Sequence, residues 1–140
     1  MACDEHLVFE ENRAITDRIW NKDAVLEFDF NVDDTVNFHN MFINVRNEES
    51  YPYSNLFVFV DIEFPNGKRS LDTVELPLAD PTGRWYGSGF GGIYDSRIRM
   101  PQPKIFPIAG PYRVKIQQAM RHDDLEGIVD VGFRVSRVAE

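Results

Sequence analysis

The stretch "LFVFVDIEFPNGKRSLDTVELPL" (residues 56–78) decides the fold. Side chains of an extended chain point alternately to its two faces, so a period of two marks a half-buried strand and separates it from a helix. Leu56, Val58, Val60, Ile62 and Phe64 fall on one face, while Phe57 and Phe59 occupy the other for the first half only. That pattern predicts a central strand whose second face is partly covered by another segment. Asn66-Gly67 follows, the strongest short hairpin signal, because both turn positions favour positive φ. Beyond it, Val74, Leu76 and Leu78 turn inward, and Pro77, with no N–H for a ladder, marks an edge or a strand end.

The same period spreads outward from this hairpin. In "LEFDFNVD" (26–33) Leu26, Phe28, Phe30 and Val32 face one way; Met41, Ile43 and Val45 repeat the pattern, as do Tyr112, Val114 and Ile116, then Val131, Phe133 and Val135. Seven or eight strands are expected. Helical spacing is nearly absent, since only "VFEENRAI" (8–15) and "DDLEGI" (123–128) could form a turn or two. "IRMPQPKIFPIAGP" (98–111) carries four prolines, compatible with edge segments and extended connections but not with a central strand. The expectation is an all-β protein, an antiparallel β-sandwich with a jelly roll as one form, because half-polar sheets bury their apolar faces against each other. At 140 residues one domain is the default. We expect the sandwich over 25–140 and a lead-in segment over 1–24.

Composition narrows the function classes. The net charge is −8 and no lysine/arginine cluster is present, which argues against nucleic acid as a partner. The only cysteine is Cys3, so neither an intramolecular disulfide nor a cysteine zinc site can form. No stretch is apolar enough for a membrane-spanning helix. Cys3 has two readings: a surface thiol, or the first residue of a mature bacterial lipoprotein, Met1 and Ala2 standing where a secretory signal ended.

Candidate chemistry is sparse. "GSGFGG" (87–92) spells a dinucleotide fingerprint, but no helix follows to face a pyrophosphate, and a flexible surface loop is the better reading. His6, His39 and His122 show no paired ligand spacing, and His39 is read as a solvent-face residue. No catalytic residue and no cofactor is expected. Trp85, Tyr86, Phe90 and Tyr94 interleave with glycines, so Trp85, Tyr86 and Tyr94 form a candidate glycan platform if exposed, or a lid of the sandwich if buried. Asp123, Asp124, Glu126 and Asp130 crowd beside His122, but their spacing departs from the alternate-position calcium loop. We read them as a short helical turn, with Asp123 or Asp124 as cap, Leu125 and Ile128 as plug and Gly127 as terminator, leading into the last strand.

Longer words carry a resemblance: "VFEENR" (8–13), "IWNKD" (19–23), "INVRN" (43–47), "YPYSNL" (51–56), "FPNGK" (64–68), "DTVELPLADPTGRWYG" (72–87) and "QAMRHDDLEGIVDVG" (117–132). On these the chain resembles the GldH gliding-motility lipoprotein family. The resemblance implies a lipidated first mature cysteine, which maps onto Cys3, and a domain anchored to a membrane of the cell envelope and facing the periplasm. It implies no enzymatic activity, and partners among other envelope proteins of the gliding-motility and type IX secretion machinery.

Overall fold

The computed structural model describes residues 6–138; Cys3 lies outside them. Among the described residues the chain forms strands β1 (Leu7–Ala14), β2 (Ile19–Asn21), β3 (Leu26–Val32), β4 (Phe38–Glu48), β5 (Asn55–Glu63), β6 (Arg69–Pro77), β7 (Ser88–Phe90), β8 (Ile93–Arg99), β9 (Lys104–Ile105), β10 (Gly110–Gln118), β11 (Asp124–Glu126) and β12 (Ile128–Arg137). A 3-10 turn over Thr16–Arg18 is the one helical element among those residues. Among the described residues no helix is long and apolar enough to cross a membrane.

Two main antiparallel sheets result, beside a two-stranded ladder of β2 and β11. The larger runs β1-β12-β4-β8-β7, with β9 also on β4, and the smaller runs β3-β10-β5-β6. Taking only the long strands in chain order, the path passes from sheet to sheet at every connection except the β5–β6 hairpin. The inward positions expected from the sequence make the core: Phe28, Phe30, Met41, Ile43, Val45, Leu56, Val58, Val60, Leu76, Tyr112, Val114, Ile116, Val131, Phe133 and Val135 are all buried.

Four local expectations need correction. "VFEENRAI" is not helical: residues 7–14 pair with β12 from Leu7↔Ser136 to Ala14↔Asp130, which makes β1 an edge strand of the large sheet. The ladder to a strand more than a hundred residues away outweighs a weak local helical pattern. His39 faces inward and is buried, its ring edge-on to Phe106 at 5.0 Å. The outer face of β5 is uncovered, with Phe57 and Phe59 exposed. In the β5–β6 hairpin only Gly67 has positive φ, +87°, and its N–H donates to Phe64 O at 2.9 Å. Pro65 and Asn66 thus make a tight turn and Gly67 supplies the left-handed residue, the three-residue loop with a glycine bulge.

The topology sorts the connections into two ends. The segments 15–25, 49–54, 78–92 and 119–127 all lie where β4, β6 and β10 finish and β3, β5 and β12 start. At the other end lie the turns 33–37 and 64–68, the connection 100–109, the start of β1 and the end of β12. We call these the loop end and the terminal end.

Candidate functional site

The loop end is where chemistry-bearing side chains gather. "IWN" and "DLE" become β2 and β11, an antiparallel pair with Asn21, Trp20 and Ile19 opposite Asp124, Leu125 and Glu126. This small ladder closes the bottom of the sandwich: Trp20 and Leu125 are buried, and Trp20 Nε1 donates to Ala24 O at 2.8 Å. The short helical turn expected at 123–127 is therefore a strand. Asp124 and Glu126 alternate outward around inward Leu125, a period-two pattern too short to read without its distant partner. Gly127 still terminates it, at φ +101°, where an added Cβ would come within 3.0 Å of Tyr51 Cα.

The four carboxylates of that stretch diverge. Asp123 pairs with Lys22 at 3.5 Å, and Asp124 accepts a hydrogen bond from Asn21 Nδ2 at 2.9 Å. Asp130 lies on the outer face of the large sheet, 2.9 Å from Arg46, where burial raises its pKa against the pull of that guanidinium. Among the described residues no group of three or more His, Cys, Asp or Glu is placed to hold a metal ion. Gln118, passed over in the sequence, organises the segment: its buried amide donates to His122 O at 2.7 Å, and its oxygen accepts the Met120 N–H at 2.9 Å.

An aromatic chain crosses the same end. Tyr51 meets Tyr53 edge-on at 5.7 Å and Trp85 at 6.5 Å, and Trp85 stacks on Tyr94 at 5.7 Å. Tyr53 and His122 are hydrogen-bonded through Oη and Nε2, with their rings 5.5 Å apart. Tyr51 is the buried anchor: its hydroxyl donates to Asn55 O at 2.8 Å, and burial pushes its pKa well above the usual phenol range. The candidate platform residues thus divide. Trp85 and Tyr94 are half-buried against each other, whereas Tyr86 is 62% exposed. The "GSGFGG" segment is not a loose loop: Ser88–Phe90 pairs with β8, and Phe90 at its tip is 92% exposed.

Two grooves flank Pro52 and Tyr53. One, of about 360 Å³, is lined by Glu48, Tyr53, His122, Asp124 and Glu126, and is acidic. Its neighbour, of about 380 Å³, is lined by Tyr51, Tyr53, Asp80, Pro81 and Trp85. Asp80 fixes the second rim: its carboxylate accepts the Thr82 hydroxyl at 2.7 Å and the N–H groups of Thr82 and Arg84 at 2.8 and 2.9 Å, which holds its pKa below the usual range. A third groove, on the outer face of the large sheet, pairs its charges internally. There Glu10 accepts from Asn44, Arg97 and Arg134 at 2.8, 3.2 and 2.7 Å.

Comparison with known proteins identifies the family. Residues 7–135 match the model of the GldH lipoprotein family. The chain belongs to the GldH lipoprotein family. It is 39% identical to a gliding motility lipoprotein GldH homolog of Christiangramia forsetii, covering 97% of this chain and 87% of that protein. It is 38% identical to the gliding motility lipoprotein GldH of Flavobacterium johnsoniae, over 97% of this chain and 88% of that one. Among solved structures, a carbohydrate-binding module specific for non-crystalline cellulose superposes with a TM-score of 0.51 at 9% identity, over 94% of this chain and 74% of that one. That likeness is one of fold. Of the seven sequence words on which the GldH resemblance rests, "IWNKD", "YPYSNL", "DTVELPLADPTGRWYG" and "QAMRHDDLEGIVDVG" run through the loop end.

Proposed function

We propose that this chain is a non-enzymatic lipoprotein of the cell envelope, facing the periplasm, held to a membrane by lipid on Cys3. Its loop end is the docking surface for other envelope proteins of the gliding-motility and type IX secretion machinery. The observation that carries this reading is the separation of the two ends. β1 starts at the terminal end, four residues after Cys3, while the acidic groove, the Tyr51–Trp85 aromatic chain and exposed Tyr86 and Phe90 lie at the far end.

The lining of the grooves supports a protein partner over an enzyme's substrate. Polar groups at the loop end spend themselves on holding loops, as Asp80, Gln118 and Asp124 do. Exposed tyrosine and phenylalanine at a rim suit protein contacts, where large rings contribute much of the contact energy. The other reading is a glycan-binding module using Trp85, Tyr86 and Tyr94. Trp85 and Tyr94 turn a ring face toward each other, which leaves less aromatic surface for a sugar.

Two experiments test this. In the native organism the protein should take up labelled palmitate and sediment with membranes, and Cys3→Ser should abolish both. A photo-crosslinker at Tyr53 or Tyr86 in intact cells should yield discrete protein adducts. Recovery of peptidoglycan or other glycan alone, with binding lost in Trp85→Ala, would replace the protein-docking reading with the glycan one.

A further inference from the structure

The terminal end carries an apolar rim that the core does not use. Across the large sheet at this end the strands run β1, β12, β4, β9, and Phe38 sits directly opposite Ile105. Phe38 is 52% exposed, Ile105 42% and Leu7 40%. Val36, in the turn before β4, is 78% exposed, and that turn is fixed. Asp34 Oδ1 accepts the N–H groups of Val36 and Asn37, both at 2.9 Å, and Asn37 Nδ2 donates to Asp34 Oδ2 at 2.8 Å. A short, stapled turn therefore holds an aliphatic side chain out into solvent. Lys104 lies next to Ile105 on β9, and Arg137 stands opposite His39 on the neighbouring pair.

Chain length says what covers this rim. Cys3 precedes Leu7 by four Cα steps, at most about 14 Å of extended chain. The ten-residue β12 makes the sandwich roughly 33 Å long. Resting on the lipid-anchored reading above, we propose that the terminal end is a bilayer-docking face: Leu7, Val36, Phe38 and Ile105 sit in the interfacial region of the membrane that holds Cys3. The loop end then points away from that membrane. A single anchored residue leaves a domain free to tumble, and exposed apolar side chains at the same end add the second contact that fixes its pose. Lying on the small sheet would instead press Glu27, Asp29, Asp61 and Arg113 into the headgroups beside Phe57 and Phe59, with charges desolvated and little apolar surface gained.

The test uses the full chain and its only thiol. Cys3 is coupled to maleimide-bearing phosphatidylethanolamine in vesicles of phosphatidylethanolamine and phosphatidylglycerol whose acyl chains are brominated, so that indoles near the bilayer are quenched. Trp20 and Trp85 both lie at the loop end and give an unquenched baseline. The indoles introduced by Phe38→Trp and, separately, Ile105→Trp should lose most of their emission, while that from Phe59→Trp should keep it. Adding Val36→Asp to Phe38→Trp should restore much of the lost signal. Unquenched indoles at 38 and 105, or stronger quenching at 59, would overturn the proposal. So would a concentration-dependent dimer of the uncoupled chain that Val36→Asp abolishes, since the rim would then be covered by a second copy. Chemical coupling replaces the native modification, so these outcomes judge the docking face alone. An unacylated Cys3 in native membranes would overturn only the lipoprotein reading.

Discussion

The two ends of the sandwich are built from opposite materials. At the loop end long connections fold into structure of their own: β2 pairs with β11, Trp20 is buried, Gln118 staples a segment, and four aromatic rings pack in series. At the terminal end two short turns and a proline-rich connection close the strands, and Val36, Phe38 and Ile105 are left exposed. The difference teaches where stability and function diverge. Loop-end side chains hold a shape, so substitutions there alter folding; the rim side chains of the terminal end are more exposed, so substitutions there disturb the fold less.

The comparison breaks first at Trp20. Trp20→Ala removes a fully buried ring and should cost about 3–5 kcal/mol of folding stability in urea denaturation. Phe38→Ala, at the rim, should stay within about 0.5 kcal/mol. Similar losses at both sites would erase the distinction. Next comes Gly127→Ala, which forces a side chain into positive φ against the Tyr51 backbone and should cost about 1–3 kcal/mol. Tyr51→Phe leaves Asn55 O without its donor and should cost about 1 kcal/mol, readable as a small drop in denaturation midpoint with unchanged slope.

The smallest effects are in pH, and they arise at the terminal end. Burial lowers the pKa of His39 against the pull of Asp34, with Arg137 adding to the lowering. The unfolded chain then binds this proton more readily, so stability rises with pH between the lowered value and the ordinary one near ~6.5. Stability should therefore decline as pH falls below about 6.5, and His39→Leu should flatten that slope. Asp34 runs the other way in charge but not in sign. The hydrogen bonds from Asn37 and Val36 lower its pKa to about 2, so the contribution of its turn is present above the ordinary carboxylate range and is lost as pH falls toward 2. An Asp34 carboxyl titrating near the ordinary range of ~3.9 by NMR would show that Val36 is not held as described.

Period-two alternation carried most of the fold. Every strand whose inward face was read from Leu, Val, Ile, Phe or Tyr at alternate positions is present, because burying one face of a sheet leaves the sequence little freedom. What escaped was structure defined by a distant partner. β1 reads as charged and weakly helical because it is an edge strand half open to water, and only its ladder to β12 makes it a strand. "DDLEG" carries the residues of a capped turn, yet Asn21 and Trp20 draw it into a ladder across a hundred residues of chain. Among the candidate platform residues, Trp85 and Tyr94 were legible as aromatic but not as each other's neighbours. Gln118 offered no signal at all, since its value lies in being buried. The rim at Val36, Phe38 and Ile105 was equally silent, because three apolar residues in separate segments mean nothing until the sheet brings them to one edge.

The central claim is that one end faces the membrane and the other faces partners, and photo-crosslinking in living cells tests it most directly. The same photoreactive residue is placed at Tyr53 or at Ile105 of the full-length protein and irradiated in the native envelope. The account predicts discrete protein adducts from Tyr53 and lipid adducts from Ile105. Protein adducts from Ile105 with lipid from Tyr53 would contradict it.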